Sequence, residues 1–501
     1  MKENYKLGLV FLLLFSFILP IGLVPLFNLD EGAFSEATRE MLLNGDFITT
    51  YLNGELRFDK PILIYWLQAF SVSIFGLNEF ALRLPSALAG VLWAYSIWWF
   101  SRRYFDEKVS FLATFFMVTS LQIGIIVKAA IADSLLNMSI AFAMFNVWLY
   151  LDKRESKNLY LAFVFIAIGT LTKGPVAIMI PLVVTFIYLA IKKNLKLFFK
   201  MIFNPIGISL FFIIALPWYI LEYLDQGMKF IDGFIFKHNL ERFDTSLEHH
   251  KGSFFYFIPV LILGFLPFTL LLGNLLKNIK EILKNDMFLF LFIWFAFVFL
   301  FFSFSGTKLP HYVIYGYTPL FILMAYYFKG IDFKLLSFTL FFLVVLFFVP
   351  DLTSFVKIKN QYAKEIIENL KFYFNLDYKI SVAIIFSIIL AVLFVNISQI
   401  KKVIIVGVSF IFLVNFIVLP TYAKLVELPI KEAAFIAKQH NFKVVMYKLN
   451  TPSFMVYSQS LVEKRKPKEG DILITKKKGL KNLNYSIIYH KNGIYLVKVE
   501  K

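Results

Sequence analysis

Cysteine is absent from the 501 residues. That excludes disulfides, thiolate metal sites and cysteine nucleophiles. No segment repeats and no low-complexity linker interrupts the chain. Also missing is a pair of matching interrupted hydrophobic segments in the two halves, the mark of many transporters. Acidic residues are scarce: 33 Asp and Glu stand against 51 Lys and Arg, a net charge of +18. Such an excess often points to nucleic acid, but here the basic residues gather in short loops between apolar segments. In a membrane protein that placement is a topology signal and an attraction to anionic lipid, so no nucleic-acid partner is expected.

Apolar residues are abundant. They make up 59% of the chain, including 62 Phe, against roughly 45–50% in ordinary soluble domains. The mean hydropathy is +0.72. A helix needs about 20 apolar residues to cross the hydrocarbon layer. On that basis the sequence predicts a polytopic α-helical membrane protein with about thirteen transmembrane helices. They lie at 7–27, 86–101, 109–121, 134–150, 159–171, 175–191, 201–221, 254–274, 287–303, 312–328, 334–349, 379–397 and 403–419. The first is too long for a signal-peptide core and lacks a small-residue cleavage site, so it reads as a retained span. With a cytoplasmic N-terminus, one set of loops carries Lys2, Lys6, Arg102, Arg103, Lys108, Lys153, Arg154, Lys192, Lys277, Lys329, Lys401 and Lys402. Every loop of that set is basic, as positive-inside orientation requires.

The opposite face holds a long loop at 28–85 and shorter ones near 122–133, 172–174 and 304–311. Asp30, Glu31, Asp59, Asp133, His238, Glu241, His249, His250 and His311 all fall there, as a one-sided active site requires. Within the first loop, Phe34, Ala37, Met41 and Leu42 recur at helical spacing opposite Ser35, Glu36, Arg39 and Glu40. This predicts an amphipathic helix lying at the membrane surface. Asn53-Gly54 predicts a tight hairpin, and Pro61 opens a second helix, 62–75. The expected division is a membrane domain, 1–419, followed by a small soluble α/β domain, 420–501, on the same face as the long loop. In the latter, 429–440 reads as helix, and 442–449, 471–475, 485–489 and 494–499 as strands.

Several constellations carry chemistry. Asp30-Glu31 at the outer end of the first span serves either as a cap and solvated surface or as a general base acting on an acceptor hydroxyl. Two adjacent carboxylates raise one another's pKa, which suits base chemistry near neutrality. In Arg57-Phe-Asp-Lys-Pro61, Asp59 suits a divalent cation and Lys60 a phosphate, unless the stretch is only an exposed turn. Asp133 opens the fourth span, either as an N-cap or as a second carboxylate beside Asp30. Lys237-His-Asn-Leu-Glu-Arg-Phe243 sets His238, a candidate metal ligand, one helical turn from Arg242, a bidentate phosphate clamp. In Ser305-Gly-Thr-Lys-Leu-Pro-His-Tyr312, Lys308, His311 and Tyr312 suit an anionic headgroup or simple interfacial anchoring. Lys173 adds a further cation on the same side.

Taken in order, "LDEGAFSEATREMLLNGDFITTYLNGELRFDKPILIYWLQA", "FALRLPSALAG", "ADS", "LTKGPVA", "HNLERF" and "SGTKLPHYVIYGYTPL" resemble the aminoarabinose transferase/protein O-mannosyltransferase superfamily. Its members are integral-membrane glycosyltransferases of the GT-C fold. The resemblance is good over roughly residues 1–330 and extends beyond that only by layout; among branches it is to the bacterial one that modifies lipid A. It implies a polyprenyl-phosphate sugar donor, inversion at the anomeric carbon, and a site on the periplasmic face of a bacterial inner membrane. It implies Asp30 and Asp133 as catalytic residues, with Glu31 beside them. It implies Lys60, Arg242 and Tyr312, with Lys308 nearby, as donor-phosphate binders. Asp59 and His238 are implied as ligands of a divalent cation, zinc, magnesium or manganese. Asp59 stands where the superfamily usually has Glu, one methylene longer. The acceptor expected is lipid A or a related lipopolysaccharide component, with Ser/Thr of exported proteins as the alternative. A lipid or polysaccharide transporter is the reading from another class; it requires polar residues near the bilayer midplane, whereas here they gather at one rim.

Overall fold

The computed structural model describes residues 5–241, 252–353 and 360–500, without the side chains of 235 and 238–241. Six helices are individually long and apolar enough to cross a bilayer: Glu79–Tyr104, Asp133–Lys153, Pro205–Gln226, Asp286–Phe304, Phe333–Leu352 and Gln399–Val426. Two bent pairs raise the number to eight if each is one span. Phe254–Gly264 turns 116° into Thr269–Lys277, and Gln361–Tyr373 turns 70° into Leu376–Ala391. Tyr5–Ile18, Leu63–Phe75 and Val176–Ile191 are apolar but shorter. The chain is thus a multi-pass helical membrane protein in which several hydrophobic segments are broken or short instead of single straight helices. Between the expected spans 334–349 and 379–397 stands the helix Gln361–Tyr373.

Helix starts at one end of the bundle are fixed by short polar side chains. Asp106 accepts from the Val109 N–H at 2.8 Å, Asn204 from Gly207 at 2.9 Å, Asn285 from Phe288 at 3.0 Å and Asp332 from Leu335 at 2.7 Å. Each such cap stabilises its helix by about 1 kcal/mol. The bundle interior is aromatic. Phe100 stacks on Phe145 at 4.2 Å, Phe145 meets the Trp294 edge at 5.9 Å, and Trp93 donates to Thr318 Oγ1 at 2.8 Å. Lipid tails are as apolar as these rings, so close packing rather than escape from water holds the helices together.

The first long loop folds as expected in outline. It forms a helix, Asp30–Asn44, a hairpin pairing Tyr51–Leu52 with Glu55–Leu56, and a helix, Leu63–Phe75. Asn53 and Gly54 both take positive φ, 59° and 76°, as a two-residue hairpin turn demands. The polar face of the first helix differs from expectation. It does not face water: every residue from Glu31 to Met41 is buried. Glu36 and Arg39 form a bidentate pair, with a closest approach of 2.6 Å, and Glu40 accepts the Asn53 and Gly54 amides at the hairpin turn. Those polar groups are satisfied within the protein, so they tolerate burial.

What covers this helix is the C-terminal part. Five strands form one mixed sheet in the order Glu463–Lys464, Val444–Met446, Ile472–Lys476, Ile494–Val499, Tyr485–Lys491. The first three run parallel; Ile494–Val499 pairs antiparallel with Ile472–Lys476, and Tyr485–Lys491 antiparallel with Ile494–Val499. Helices Leu428–Gln439 and Pro452–Ser458 pack beside it. The second helix and the strand Glu463–Lys464 lacked a legible signal; the former has Pro452 and Ser453 at its start and only seven residues. Helix Pro452–Ser458 seats directly on the first-loop helix. Leu26 N–H donates to the Tyr457 hydroxyl at 2.7 Å, and that hydroxyl donates to Glu79 at 2.9 Å. Asn28 donates to Glu427 at 2.8 Å and accepts from Ser453 N–H at 3.1 Å. Asn53 exchanges two hydrogen bonds of 2.9 Å with the Val462 backbone.

Gly32 permits this contact, because a Cβ there would lie 2.6 Å from Ser453 N and 3.0 Å from Asn28 Oδ1. Both neighbours are held by hydrogen bonds and cannot give way cheaply. Gly32→Ala is therefore expected to cost about 1–3 kcal/mol through overpacking. The check is a lowered Tm in detergent together with faster proteolysis of the 420–501 region; an unchanged protease pattern would refute the clamp.

Candidate functional site

Asp30 and Asp133 each occupy the first position of a helix, Asp30–Asn44 and Asp133–Lys153, and neither helix is capped by a side chain on its N-cap residue. The Asp133 carboxylate reaches across to other helices. Its Oδ1 accepts from Lys173 Nζ at 2.7 Å and from the Tyr315 hydroxyl at 2.7 Å. Lys173 also donates to the Tyr315 hydroxyl at 2.8 Å, closing a triangle of three side chains from three helical segments. Trp294 holds the Tyr315 backbone, donating to its carbonyl at 2.8 Å. Asp133 is thus no cap: its charge is fixed by a cation and a hydroxyl in a buried setting.

His311 joins this cluster to Asp30. Its Nε2 lies 3.9 Å from Asp133 Oδ1, and its side chain lines a cavity of about 370 Å³ that also contains Asp30. Asp30 itself is exposed. Burial pushes His311 down to about 4; Asp133 and Asp30 oppose the shift, and Lys173 and Lys60 add to it. The imidazole is therefore neutral at physiological pH, able to donate from one nitrogen and accept at the other.

Lys60 and Asp59 stand on the same rim. Lys60 Nζ contacts Asp59 Oδ1 at 2.8 Å and Asp59 O at 2.9 Å, while Arg57 takes Asp59 Oδ2 at 3.1 Å. Arg57 also lies over the Phe34 ring at 5.4 Å from its centroid. Tyr312 sits between Phe302 and Tyr315, its ring 5.7 Å from Lys173 Nζ. Three lysine or arginine side chains, two tyrosines and a neutral histidine thus border the two aspartates.

Other expected residues are placed differently. Glu31 does not pair with Asp30 to share a proton. Both its oxygens are bound: Arg83 Nε and Nη2 donate at 2.6 and 2.8 Å, Phe27 N–H at 2.7 Å and Ala130 N–H at 2.8 Å. It is a structural carboxylate, pointing away from the role expected for it. Lys308 turns back to the carbonyls of Ser303 and Ser305, at 2.7 and 2.9 Å, and closes the end of helix Asp286–Phe304. Arg242, His249 and His250 lie outside the described residues, as does the side chain of His238. Of the two expected metal ligands, Asp59 has both oxygens engaged by Lys60 and Arg57, and among the described residues no three His, Asp or Glu side chains converge to hold an ion.

Residues 59–221 match the dolichyl-phosphate-mannose-protein mannosyltransferase family. Two arabinosyl transferases acting on undecaprenyl phosphate-α-4-amino-4-deoxy-L-arabinose are similar in sequence. The one from Aeromonas hydrophila is 31% identical over 64% of this chain and 59% of its own. The one from Wigglesworthia glossinidia brevipalpis is 29% identical over 65% and 58%. In fold, the crystal structure of ArnT from Cupriavidus metallidurans bound to undecaprenyl phosphate superposes with a TM-score of 0.83 over 99% of this chain and 98% of that one, at 18% identity. Its apo form gives 0.81, over 99% and 97%, at 17% identity. The chain has the ArnT fold. The sequence match spans under two thirds of the length of these curated relatives.

Arg83, Tyr315 and Lys128 were not singled out from sequence. Arg83 had a signal, since an arginine set in the apolar run Phe80-Ala-Leu-Arg-Leu-Pro85 must find partners or pay for burial. Tyr315 had none, being one of three tyrosines in Tyr312-Val-Ile-Tyr-Gly-Tyr317.

The depressed His311 pKa sets a sign for stability. Between about 6.5 and about 4 the unfolded chain binds a proton that the native imidazole refuses, so acidification through that window destabilises the fold. Above that window the contribution vanishes. His311→Gln removes it, and the Tm loss between pH 6.5 and 4 is expected to shrink by the equivalent of roughly 1–3 kcal/mol. Parallel Tm curves for wild type and variant would contradict the assignment.

Proposed function

We propose that the chain is an integral-membrane glycosyltransferase that moves a sugar from a polyprenyl-phosphate donor to lipid A or a related lipopolysaccharide acceptor. It does so on the periplasmic face of a bacterial inner membrane, with the N-terminus cytoplasmic. The observation that carries the reading is the convergence of Asp30, Asp133, His311, Lys60 and Lys173 at one rim of the helical bundle.

Such a rim suits the chemistry. The bond between the anomeric carbon and the donor phosphate oxygen breaks, and its electron pair leaves on phosphate. Lys60, with Lys173 beyond it, stabilises that developing charge in a poorly hydrated site. An acceptor oxygen attacks from the opposite face and inverts the centre. If that oxygen is a phosphate's, it arrives deprotonated; Asp30 and the fixed Asp133 then orient the sugar and stabilise its oxocarbenium character. If it is a hydroxyl, Asp30, exposed at the cavity, takes the proton. The second case corresponds to transfer onto protein Ser/Thr, and the family matched by residues 59–221 favours it as the alternative. A transporter remains the reading from another class.

Mass spectrometry of lipid A and of exported glycoproteins, from cells with and without the protein, separates these. A mass shift on lipid A that depends on the protein and disappears in Asp30→Asn, a loss of at least about 10²-fold in rate, supports the proposal. A shift confined to proteins supports the alternative. Products unchanged by Asp30→Asn would remove the catalytic assignment.

A further inference from the structure

One buried cation takes no part in the mechanism above. Lys128 lies in the connection between helices Leu121–Ile126 and Asp133–Lys153 and is only 8% exposed. Its Nζ hydrogen-bonds the side-chain oxygen of Asn415 in the last long helix, and Asn415 donates to the Ser16 carbonyl at 3.2 Å. Among the described residues Lys128 makes no ion pair; its one hydrogen-bonding partner is a neutral amide. Burial, and after it the like charge of Arg83, holds Lys128 down to about 7. Glu31 is already paired with Arg83, so Lys128 has no ion-pair partner of its own among the described residues, and burying a lysine in that state is costly.

Lys128 faces the same 370 Å³ cavity as Asp30 and His311. The paired Glu31 and Arg83 also line it, with apolar wall from Ile21 and Val24 at the end of the first span and Leu419 at the end of the last. Neither Lys60 nor Lys173 lines it. The pocket is thus polar at its floor, greasy at its sides, and positioned on Asp30 independently of the expected donor-phosphate lysine. We propose that Lys128 marks a second phosphate subsite, which holds a phosphomonoester of the acceptor lipid against Asp30. The inference rests on the glycosyl-transfer reading and names the acceptor group for it. An arriving phosphate supplies the missing counter-charge, restores the lysine's full positive charge and hydrogen-bonds it in a water-poor site, where such contacts are strong.

The test uses the full chain in phosphatidylcholine nanodiscs, titrated separately with phosphatidic acid, a lipid phosphomonoester, and with undecaprenyl phosphate. Lys128→Met is expected to weaken phosphatidic acid binding at least about tenfold and to leave undecaprenyl phosphate within about twofold, with Lys60→Ala doing the reverse. Lys128→Gln, which keeps a hydrogen bond for Asn415, is expected to show the same loss. A purely structural lysine would instead lower Tm in both variants; here Tm is expected to hold or rise as a buried charge is removed. Undecaprenyl phosphate weakened by Lys128→Met would assign the lysine to the carrier and overturn the proposal. So would unchanged affinity for both probes, or no phosphatidic acid binding by wild type. Binding needs no turnover, so these outcomes are legible whether or not the Asp30→Asn assay sustains the transferase reading.

Discussion

The buried pair of Arg83 and Glu31 is the contact on which the rest of the site depends. All five N–H groups of Arg83 are used: two on Glu31 and three on the carbonyls of Ile21, Val24 and Pro25. Those carbonyls belong to the end of the first span, where a helix running into a loop leaves acceptors unsatisfied. Glu31 in turn receives the Phe27 and Ala130 amides. One ion pair therefore ties together the exit of the first span, the start of the first-loop helix, helix Glu79–Tyr104 and the segment leading to Asp133. Removing either partner would strand the other charge in a dry interior, a loss of about 3–5 kcal/mol. Glu31 is immobilised, while its neighbour Asp30 stays exposed.

A second layer of constraint works through neutral groups. Gln68 accepts from Thr38 at 2.8 Å and donates to the carbonyls of Leu82 and Ala130, each at 3.1 Å. It thereby links the two first-loop helices to the same two elements that Arg83 links. Tyr457, Asn28 and Asn53 then fasten the C-terminal sheet and its helices on top. The consequence is an arrangement in which irregular backbone at the membrane boundary has its polar groups satisfied by protein, the condition for such backbone to exist there. Rigid placement of Asp30 and Asp133 follows from it, and rigid placement is what a charge-stabilising site needs.

Charges are distributed by function across this rim. Glu31 and Glu36 are paired with arginines and serve the fold. Asp133 is held by Lys173 and Tyr315, and Asp59 by Lys60 and Arg57. Asp30 is exposed in a cavity that also holds Lys128 and His311. The adjacent residues Asp30 and Glu31 thus have different duties, because only Glu31 meets Arg83.

Periodicity, composition and local turn chemistry determined much by themselves. Long apolar runs required a helical membrane protein, Asn53-Gly54 required a tight turn, and alternating residues after Asp471 required strands, because each depends on neighbours within a few positions. The ordered motifs around Asp30, Lys60, Asp133 and Tyr312 were legible for the same reason, as was the superfamily they resemble. Whether Asp30-Glu31 is a proton-sharing pair, whether the polar face of the first-loop helix meets water, and whether Lys308 binds a ligand or a helix end were not. Lys308 was decided by the local end of its own preceding helix, but the other two were decided by distant residues, Arg83 for Glu31 at 52 positions and Ser453 for Asn28 at 425 among them. A side chain's partner across such distances is set by how the helices pack, and packing is a property of the folded chain as a whole.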